Sequence, residues 1–497
     1  MNVGEKSDTA IVLAKVANNG AIASAESLEG RAVPKGNGRQ TAASWTQSQG
    51  IASTGLSAVR QAAQRDKECR FTALLHHIDI ELLRTSYYSL KRNAAPGIDG
   101  VSWEAYGNDL EVKLRALHQR VHNGSYRAMP TRRVYIPKSD GGQRPLSIQC
   151  LEDKIVQQAV TYVLNAIYEA DFMGFSYGFR PKRGQHDALD ALQVALHRKN
   201  VNWVLDADIR KFFDSMDHDW TIRFLEHRIA DKRLLRLIVK WLKVGSIEDG
   251  RRVPQTQGAP QGAVISPILA NVYLHYVYDL WAHQWRRRHA DGDMAIIRYA
   301  DDTVLGFQHR STALAFRQAL EERLERFGLA LHPDKTRLLE FGRYAERRRA
   351  RRGEGKPETF NFLGFTHYCA RARRGNGFVV GRRTIGSRLR EQLRAIKQGL
   401  RRRLHRPLPE TGRWLNQVLR GHLAYYAVPG NGPQISSFIY RVRRLWLKMI
   451  RRRSQRSRMD WARFVRVLAR YIPSPRILHP HSMHRFDART QGRSPVR

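Results

Sequence analysis

Two apolar segments of this chain end in carboxylates, and few folds tolerate that. Residues 201–208 run Val-Asn-Trp-Val-Leu-Asp-Ala-Asp, and residues 295–307 run Ala-Ile-Ile-Arg-Tyr-Ala-Asp-Asp-Thr-Val-Leu-Gly-Phe. Short apolar runs of this kind are the mark of buried strands. Because 295–299 and 303–307 flank Ala300-Asp301-Asp302, a hairpin with two adjacent carboxylates at its tip is expected. Asp206 and Asp208 end the first segment, where the two-residue period of a strand puts both on one face. A carboxylate there is costly to desolvate unless something compensates it. If the segments are neighbours in one sheet, Asp208, Asp301 and Asp302 crowd their charges together, which calls for a divalent cation. Oxygen-only donors favour Mg²⁺. Two such ions, roughly 3.5 to 4 Å apart, would activate an attacking hydroxyl and stabilise the leaving oxygen of an in-line phosphoryl displacement, which is nucleotidyl transfer. Taken alone, the Asp doublet has an equally ordinary reading as a solvated turn.

The charge balance narrows the partners. Lys and Arg number 86 against 45 Asp and Glu, a net +41, and residues 371–497 hold 32 basic and only 4 acidic residues. An excess so large and so uneven fits an extended phosphate-rich partner, nucleic acid before an anionic membrane surface. The 497 residues suffice for about three domains with sizeable cores. Three widely spaced cysteines, Cys69, Cys150 and Cys369, offer neither a zinc-type pair nor a disulfide framework, so a reduced, cytoplasmic setting is expected. Neither a secretion signal nor an apolar run of 18 residues is present, so no membrane partner is expected.

Along the chain, residues 1–64 are rich in Ala, Ser, Gly, Gln and Asn and read as a flexible leader. Helical periodicity is expected to begin near Phe71 and to run to Leu90, followed by the turn cluster Ala95-Pro-Gly-Ile-Asp-Gly100. Residues 132–136 and 144–148 read as a hairpin turning at 138–142, and 152–168, 185–197 and 314–327 as helices. From Ile385 onward the pattern is helical with Arg on the solvent faces, interrupted at Pro407, Pro409, 429–433 and Pro473.

Several blocks stand in one order. Arg133-Val-Tyr-Ile-Pro-Lys138 with Gln143-Arg-Pro-Leu146 comes first, then 175–184 with its Gly-Phe-Arg-Pro run, then Asp208-Ile-Arg-Lys-Phe-Phe-Asp214. Residues 257–271, which include Gln261-Gly262, precede Tyr299-Ala300-Asp301-Asp302, and Leu331-His-Pro-Asp-Lys-Thr336 and Phe362-Leu-Gly-Phe365 follow it. Over residues 71–370 this ordered set resembles the reverse transcriptases. The extra block near 95–106, Gly412-Arg-Trp-Leu-Asn416 and Arg420-Gly-His-Leu-Ala-Tyr-Tyr426 are similar to the bacterial group II intron-encoded reverse transcriptase/maturase proteins. With no cysteine after Cys369, the zinc-bearing H-N-H endonuclease of many relatives is not expected.

The resemblance implies an α+β right-hand polymerase with a helical thumb. It divides the chain into the leader 1–64, an N-terminal extension 65–130, fingers and palm 131–370, a thumb or maturase domain 371–450, and a basic DNA- and RNA-binding tail 451–497. It implies that Asp208, Asp301 and Asp302, with the Ile209 carbonyl, hold two Mg²⁺ ions, while Asp206 and Asp214 are structural. For the incoming dNTP it implies Lys138 and Arg144 on the triphosphate, Phe213 against a ribose 2′-hydroxyl, Gln261 and Gly262 as the pocket floor, and Lys335 near the leaving pyrophosphate. Arg401, Arg402 and Arg403 with Arg451, Arg452 and Arg453 are expected on RNA. The implied function is RNA-directed DNA synthesis by a protein that binds its parent group II intron RNA, assists its splicing and copies it into target DNA. The rivals are a stand-alone reverse transcriptase serving defence or diversification, and an RNA-binding splicing factor without polymerase activity.

Overall fold

A computed structural model describes residues 54–137, 142–372, 377–453 and 459–490. Its strands, in chain order, are β1 (Thr131–Pro137), β2 (Gln143–Ile148), β3 (Trp203–Ala207), β4 (Ser246–Glu248), β5 (Arg251–Val253), β6 (Met294–Tyr299), β7 (Asp302–Phe307), β8 (Arg337–Glu340), β9 (Phe360–Phe362), β10 (Phe365–Arg371) and β11 (Phe378–Thr384). They form three sheets, ordered β2-β1-β4-β5, β6-β7-β3-β8 and β11-β10-β9. The fold is α+β with a helical C-terminal region.

The central sheet is antiparallel throughout, with β3 held between β7 and β8. Both of its faces are covered. Leu205, Ile296, Leu305 and Phe307 join a core shared with the helices Leu151–Tyr168 and Ser266–Leu274. Their strand neighbours Val204, Ala295, Ile297 and Val304 face the helix Gln185–Arg198 and the sheet β9-β10-β11. Burial on two sides is why these strands read as continuous apolar runs and not as alternating ones. It also leaves only the strand ends for polar chemistry.

Downstream, the helices Gly386–Arg402, Leu408–Tyr426, Gly432–Arg451 and Trp461–Tyr471 enclose their own core around Leu415, Phe438, Trp446 and Phe464. Two of them start where prolines interrupt the pattern: Pro409 and Pro433 occupy the first turns of their helices, where the missing N–H costs nothing.

Four expectations need correction. The leader 1–64 is too long, because Thr54–Arg65 is a helix that buries Leu56, Val59 and Ala63. The helix expected from Phe71 starts only at Ile80, where the Asp79 side chain accepts the Leu82 N–H. Ahead of it the Leu74 and Leu75 N–H groups donate to Asp231, which draws this segment away from helix. The hairpin β10-β11 straddles residue 370, the expected boundary between palm and thumb. Finally, 451–497 is not only a basic tail. Phe464 and Leu468 pack into the core of the C-terminal helices, and the helix Ser482–Thr490 docks on Gln185–Arg198 through Phe486 and the ion pairs Arg485–Asp190, Arg489–Asp187 and Arg198–Asp487.

Candidate active site

The hairpin β6-β7 closes with Tyr299 opposite Asp302, so Ala300 and Asp301 form a two-residue loop. Ala300 takes a left-handed φ of +53°, at a cost of about 1 kcal/mol for a residue with a Cβ. β3 lies alongside β7, and the chain leaves β3 at Asp208 beside this loop. One carboxylate oxygen each from Asp208, Asp301 and Asp302 lies within 4.8 Å of the others, although 93 residues separate Asp208 from Asp301. Asp301 is buried, and Asp208 and Asp302 are half-buried. An all-oxygen donor set this tight suits a hard divalent cation such as Mg²⁺.

Surrounding backbone holds both aspartate-bearing segments. The Asp208 carbonyl accepts the His332 N–H at 2.6 Å, and Ile209 bridges to Leu331. This pairing brings Lys335 Nζ to 3.5 Å from Asp208 Oδ2. On the other strand, Arg298 is wholly buried beneath the hairpin. Its guanidinium donates to both carboxylate oxygens of Asp279 at 2.8 and 2.6 Å, to Asn271 Oδ1 at 3.2 Å, to the Ala300 carbonyl at 3.0 Å and to Ser176 Oγ. Asn271 in turn donates to the Gly178 carbonyl at 2.8 Å. A Cβ on Gly178 would lie 2.2 Å from the Ala300 nitrogen, so only glycine admits the hairpin at this distance.

Beside the aspartates, Arg144 on β2 donates from Nε to Gln261 Oε1 at 3.0 Å, and Gln261 Nε2 donates to Asp214 Oδ1 at 3.1 Å. Burial holds Arg144 below its ordinary pKa, against the opposing pull of Asp301 and Asp214. Gly262, at φ +102°, packs its α-carbon against Leu146 of β2, where a Cβ would meet Leu146 Cδ1 at 2.6 Å. Phe213 is buried in the short helix Phe212–Ser215, and its carbonyl accepts the Ala259 N–H at 2.8 Å. Strand β2, the glycine-bearing loop of Gln261 and Gly262 and the Phe213 turn thus meet beside the carboxylate cluster. Lys138 lies outside the described residues.

The arrangement has known relatives. Residues 136–367 match the family described as reverse transcriptase (RNA-dependent DNA polymerase). Over 306 residues the chain is 34% identical to protein YkfC of Escherichia coli (strain K12), spanning 54% of this chain and 80% of YkfC. It is 32% identical over 222 residues to the group II intron-encoded protein LtrA of Lactococcus lactis subsp. cremoris, which is 44% of this chain but only 37% of LtrA. A 91 kDa protein in the cob intron of Schizosaccharomyces pombe is 37% identical over 196 residues, 39% of this chain and 24% of that protein. The chain belongs to the group II intron-encoded reverse transcriptases.

In this reverse transcriptase the arginine-rich segments lie far from the carboxylates in sequence and differ among themselves in exposure. Arg401, Arg402, Arg451 and Arg452 are exposed, whereas Arg403 and Arg453 are half-buried. Arg403 lies over the Trp414 ring, 4.3 Å from its centroid, and Arg453 donates to the Arg406 carbonyl. Arg451, although exposed, also donates from Nε to the Met459 carbonyl at 2.8 Å. Asp206 is half-buried on β3 opposite Val304 and Arg337, in keeping with a structural place. Asp214 accepts from Gln261 Nε2. The sequence assigns no role to Arg298 or Asp279, and places Asn271 and Gly178 only within the ordered blocks 257–271 and 175–184. For Arg298 the signal was an arginine inside a strand that is otherwise apolar. No helix among the described residues is long and apolar enough to cross a membrane.

Proposed function

We propose that this reverse transcriptase extends a primer with dNTPs by a two-metal mechanism, binds its parent group II intron RNA, assists its splicing as a maturase and copies it into a DNA target. The convergence of Asp208, Asp301 and Asp302 within 4.8 Å carries the polymerase part of this reading. These three side chains, with the Ile209 carbonyl, would hold Mg²⁺. When bound, that ion supplies Lewis-acid stabilisation of charge at the phosphoryl centre. Arg144, kept beside the cluster by Gln261, is placed to neutralise the incoming triphosphate, and Lys335 to meet charge on the leaving pyrophosphate. Gln261 and Gly262 form the floor on which the nucleotide is oriented. Phe213 presents an apolar group that excludes a 2′-hydroxyl without bonding to it, so DNA is made. The thumb and the segments after it supply cationic surface that neutralises RNA phosphates and favours the compact, splicing-competent intron fold.

The decisive experiment is primer extension on an RNA template with Asp301→Ala beside a binding assay on the intron RNA. Loss of extension by at least about 1,000-fold with RNA binding retained is expected. Extension at the wild-type rate would overturn the assignment.

A further inference from the structure

The carboxylate cluster must be reproducible to a fraction of an ångström to work, yet Asp301 sits on a two-residue loop whose first member is a strained alanine. Something has to hold that loop. We infer that Arg298 is a positioning residue for the metal-binding hairpin, locked by Asp279 and Asn271, so that its guanidinium fixes the Ala300 carbonyl and with it the direction in which Asp301 projects. The inference rests on the proposed role of Asp208, Asp301 and Asp302 as metal ligands.

The geometry excludes a simpler explanation of Arg298 as a core ion pair. A guanidinium has five N–H donors, and here all five are engaged, by Asp279 twice and by Asn271, Ala300 and Ser176 once each. A structural ion pair needs only Asp279. The remaining bonds run to the hairpin carbonyl, to the 175–178 loop, and to the side chain that holds that same loop through the Gly178 carbonyl. The 175–178 loop also pairs with β6 directly, through Arg298 N–H to the Phe175 carbonyl and Tyr177 N–H to the Arg298 carbonyl, both 2.9 Å. Gly178 therefore abuts Ala300 on one side while Arg298 holds its carbonyl on the other, and the left-handed conformation of Ala300 is clamped between them. Asp279 supplies the counter-charge from a turn of π-helix, His275–Asp279, that interrupts an otherwise continuous helical run from Ser266 to His289. Both side chains are 0% exposed, so water cannot substitute for either.

The test is the double substitution Arg298→Leu with Asp279→Leu, which removes both buried charges and keeps apolar volume. Three quantities are read: folding by circular dichroism, steady-state primer extension, and Mn²⁺ binding followed by the electron paramagnetic resonance signal of the free ion. The expected result is a folded protein whose kcat falls about 100-fold and whose Mn²⁺ dissociation constant rises about tenfold, while KM for dNTP changes by less than about threefold. Wild-type kcat and Mn²⁺ affinity in the folded double variant would overturn the inference. If the double variant does not fold, Arg298→Lys is scored in the same way. A lysine retains the charge opposite Asp279 but offers three donors from one atom in place of five on a planar fork, so it cannot engage Asp279, Asn271, Ser176 and Ala300 together, and the same losses are expected. Failure of that variant to fold as well would place Arg298 in folding alone and also overturn the inference. Asp301→Ala serves as the reference: if it binds Mn²⁺ and extends primers normally, the metal-site reading falls, whereas its inactivity beside normal Arg298 variants removes only the positioning role.

Discussion

Phe213 and Asp214 are adjacent, and their surroundings divide the work between them. The Phe213 ring is buried, its carbonyl is tied to Ala259, and a Cβ on Gly258 would lie 2.6 Å from that carbonyl, so the turn cannot slide along the glycine loop. On the proposed reading, a rigid apolar face set there discriminates by volume alone. Phe213→Ala is therefore expected to lower the preference for dNTP over rNTP by about 10- to 100-fold while leaving dNTP incorporation within a few-fold, as measured by single-nucleotide extension kinetics. Unchanged selectivity would make Phe213 an ordinary core residue. Asp214 has the polar part, holding Gln261 while Gln261 holds Arg144. The clustering of Asp208, Asp301 and Asp302 was legible from sequence because carboxylates end two separate apolar runs that can be neighbours in one sheet. Asp214 and Arg298 were not, because their meaning lies in partners 47 and 19 or more residues away, Gln261 for the first and Asp279 and Asn271 for the second. No local pattern encodes such pairings.

Between residue and fold, Asp231 shows how one side chain joins two elements. It caps the helix Lys232–Lys243 by accepting the Arg233 and Leu234 N–H groups, and it also accepts the Leu74 and Leu75 N–H groups at 2.8 and 2.9 Å from a segment more than 150 residues earlier. Burial alone would raise its carboxyl, but the four backbone donors outweigh burial and hold it below the usual range. A folded pKa below the unfolded value of about 3.9 means the ionised form stabilises the fold. That contribution is complete above about pH 4 and is lost as pH falls through the folded pKa. Asp231→Ala leaves buried N–H groups without an acceptor and is expected to cost about 2 to 3 kcal/mol at pH 7, with the deficit shrinking in acid. Denaturant titration of both proteins at pH 7 and pH 3 checks it, and an equal deficit at the two values would refute the ionic account. The long helices Leu151–Tyr168 and Gln185–Arg198 could be read from periodicity, and the hairpin β6-β7 from the apolar runs that two-sided burial imposes. β4, β5 and β9 are three residues each and leave no period to detect. The docking of the helix Ser482–Thr490, unlike its helicity, eluded reading for a different cause. Its docking depends on Asp187 and Asp190, some 300 residues away, and without them its Arg485 and Arg489 look like solvated charge.

Taken over the whole chain, the net charge of +41 already counts every Asp and Glu, so only an anionic partner can offset it. Not every arginine of the C-terminal region is free to meet that partner, because several are committed within the protein: Arg485 and Arg489 to Asp190 and Asp187, Arg382 to Ser482, Arg403 to the Trp414 ring and Arg453 to the Arg406 carbonyl. A count of arginines therefore overstates the surface offered to RNA. The three consecutive residues Arg451, Arg452 and Arg453 test this directly. If all three met phosphates, replacing them with Gln would lower the slope of log K against log salt by about 2, at roughly 0.7 per contact on unpaired RNA. Arg453 is half-buried and bonded to the Arg406 carbonyl, whereas Arg451, although its Nε donates to the Met459 carbonyl at 2.8 Å, is exposed like Arg452, so only these two present donors to solvent for that role. The expected reduction is about 1.4 for the triple variant and nearly the same for the double variant Arg451→Gln with Arg452→Gln, measured by filter binding of the intron RNA between low and moderate salt. A triple variant that clearly exceeds the double would show that Arg453 leaves its internal acceptor for the RNA. An unchanged slope in both would move the RNA-binding surface to the other exposed arginines, beginning with Arg401 and Arg402 at the end of the helix Gly386–Arg402.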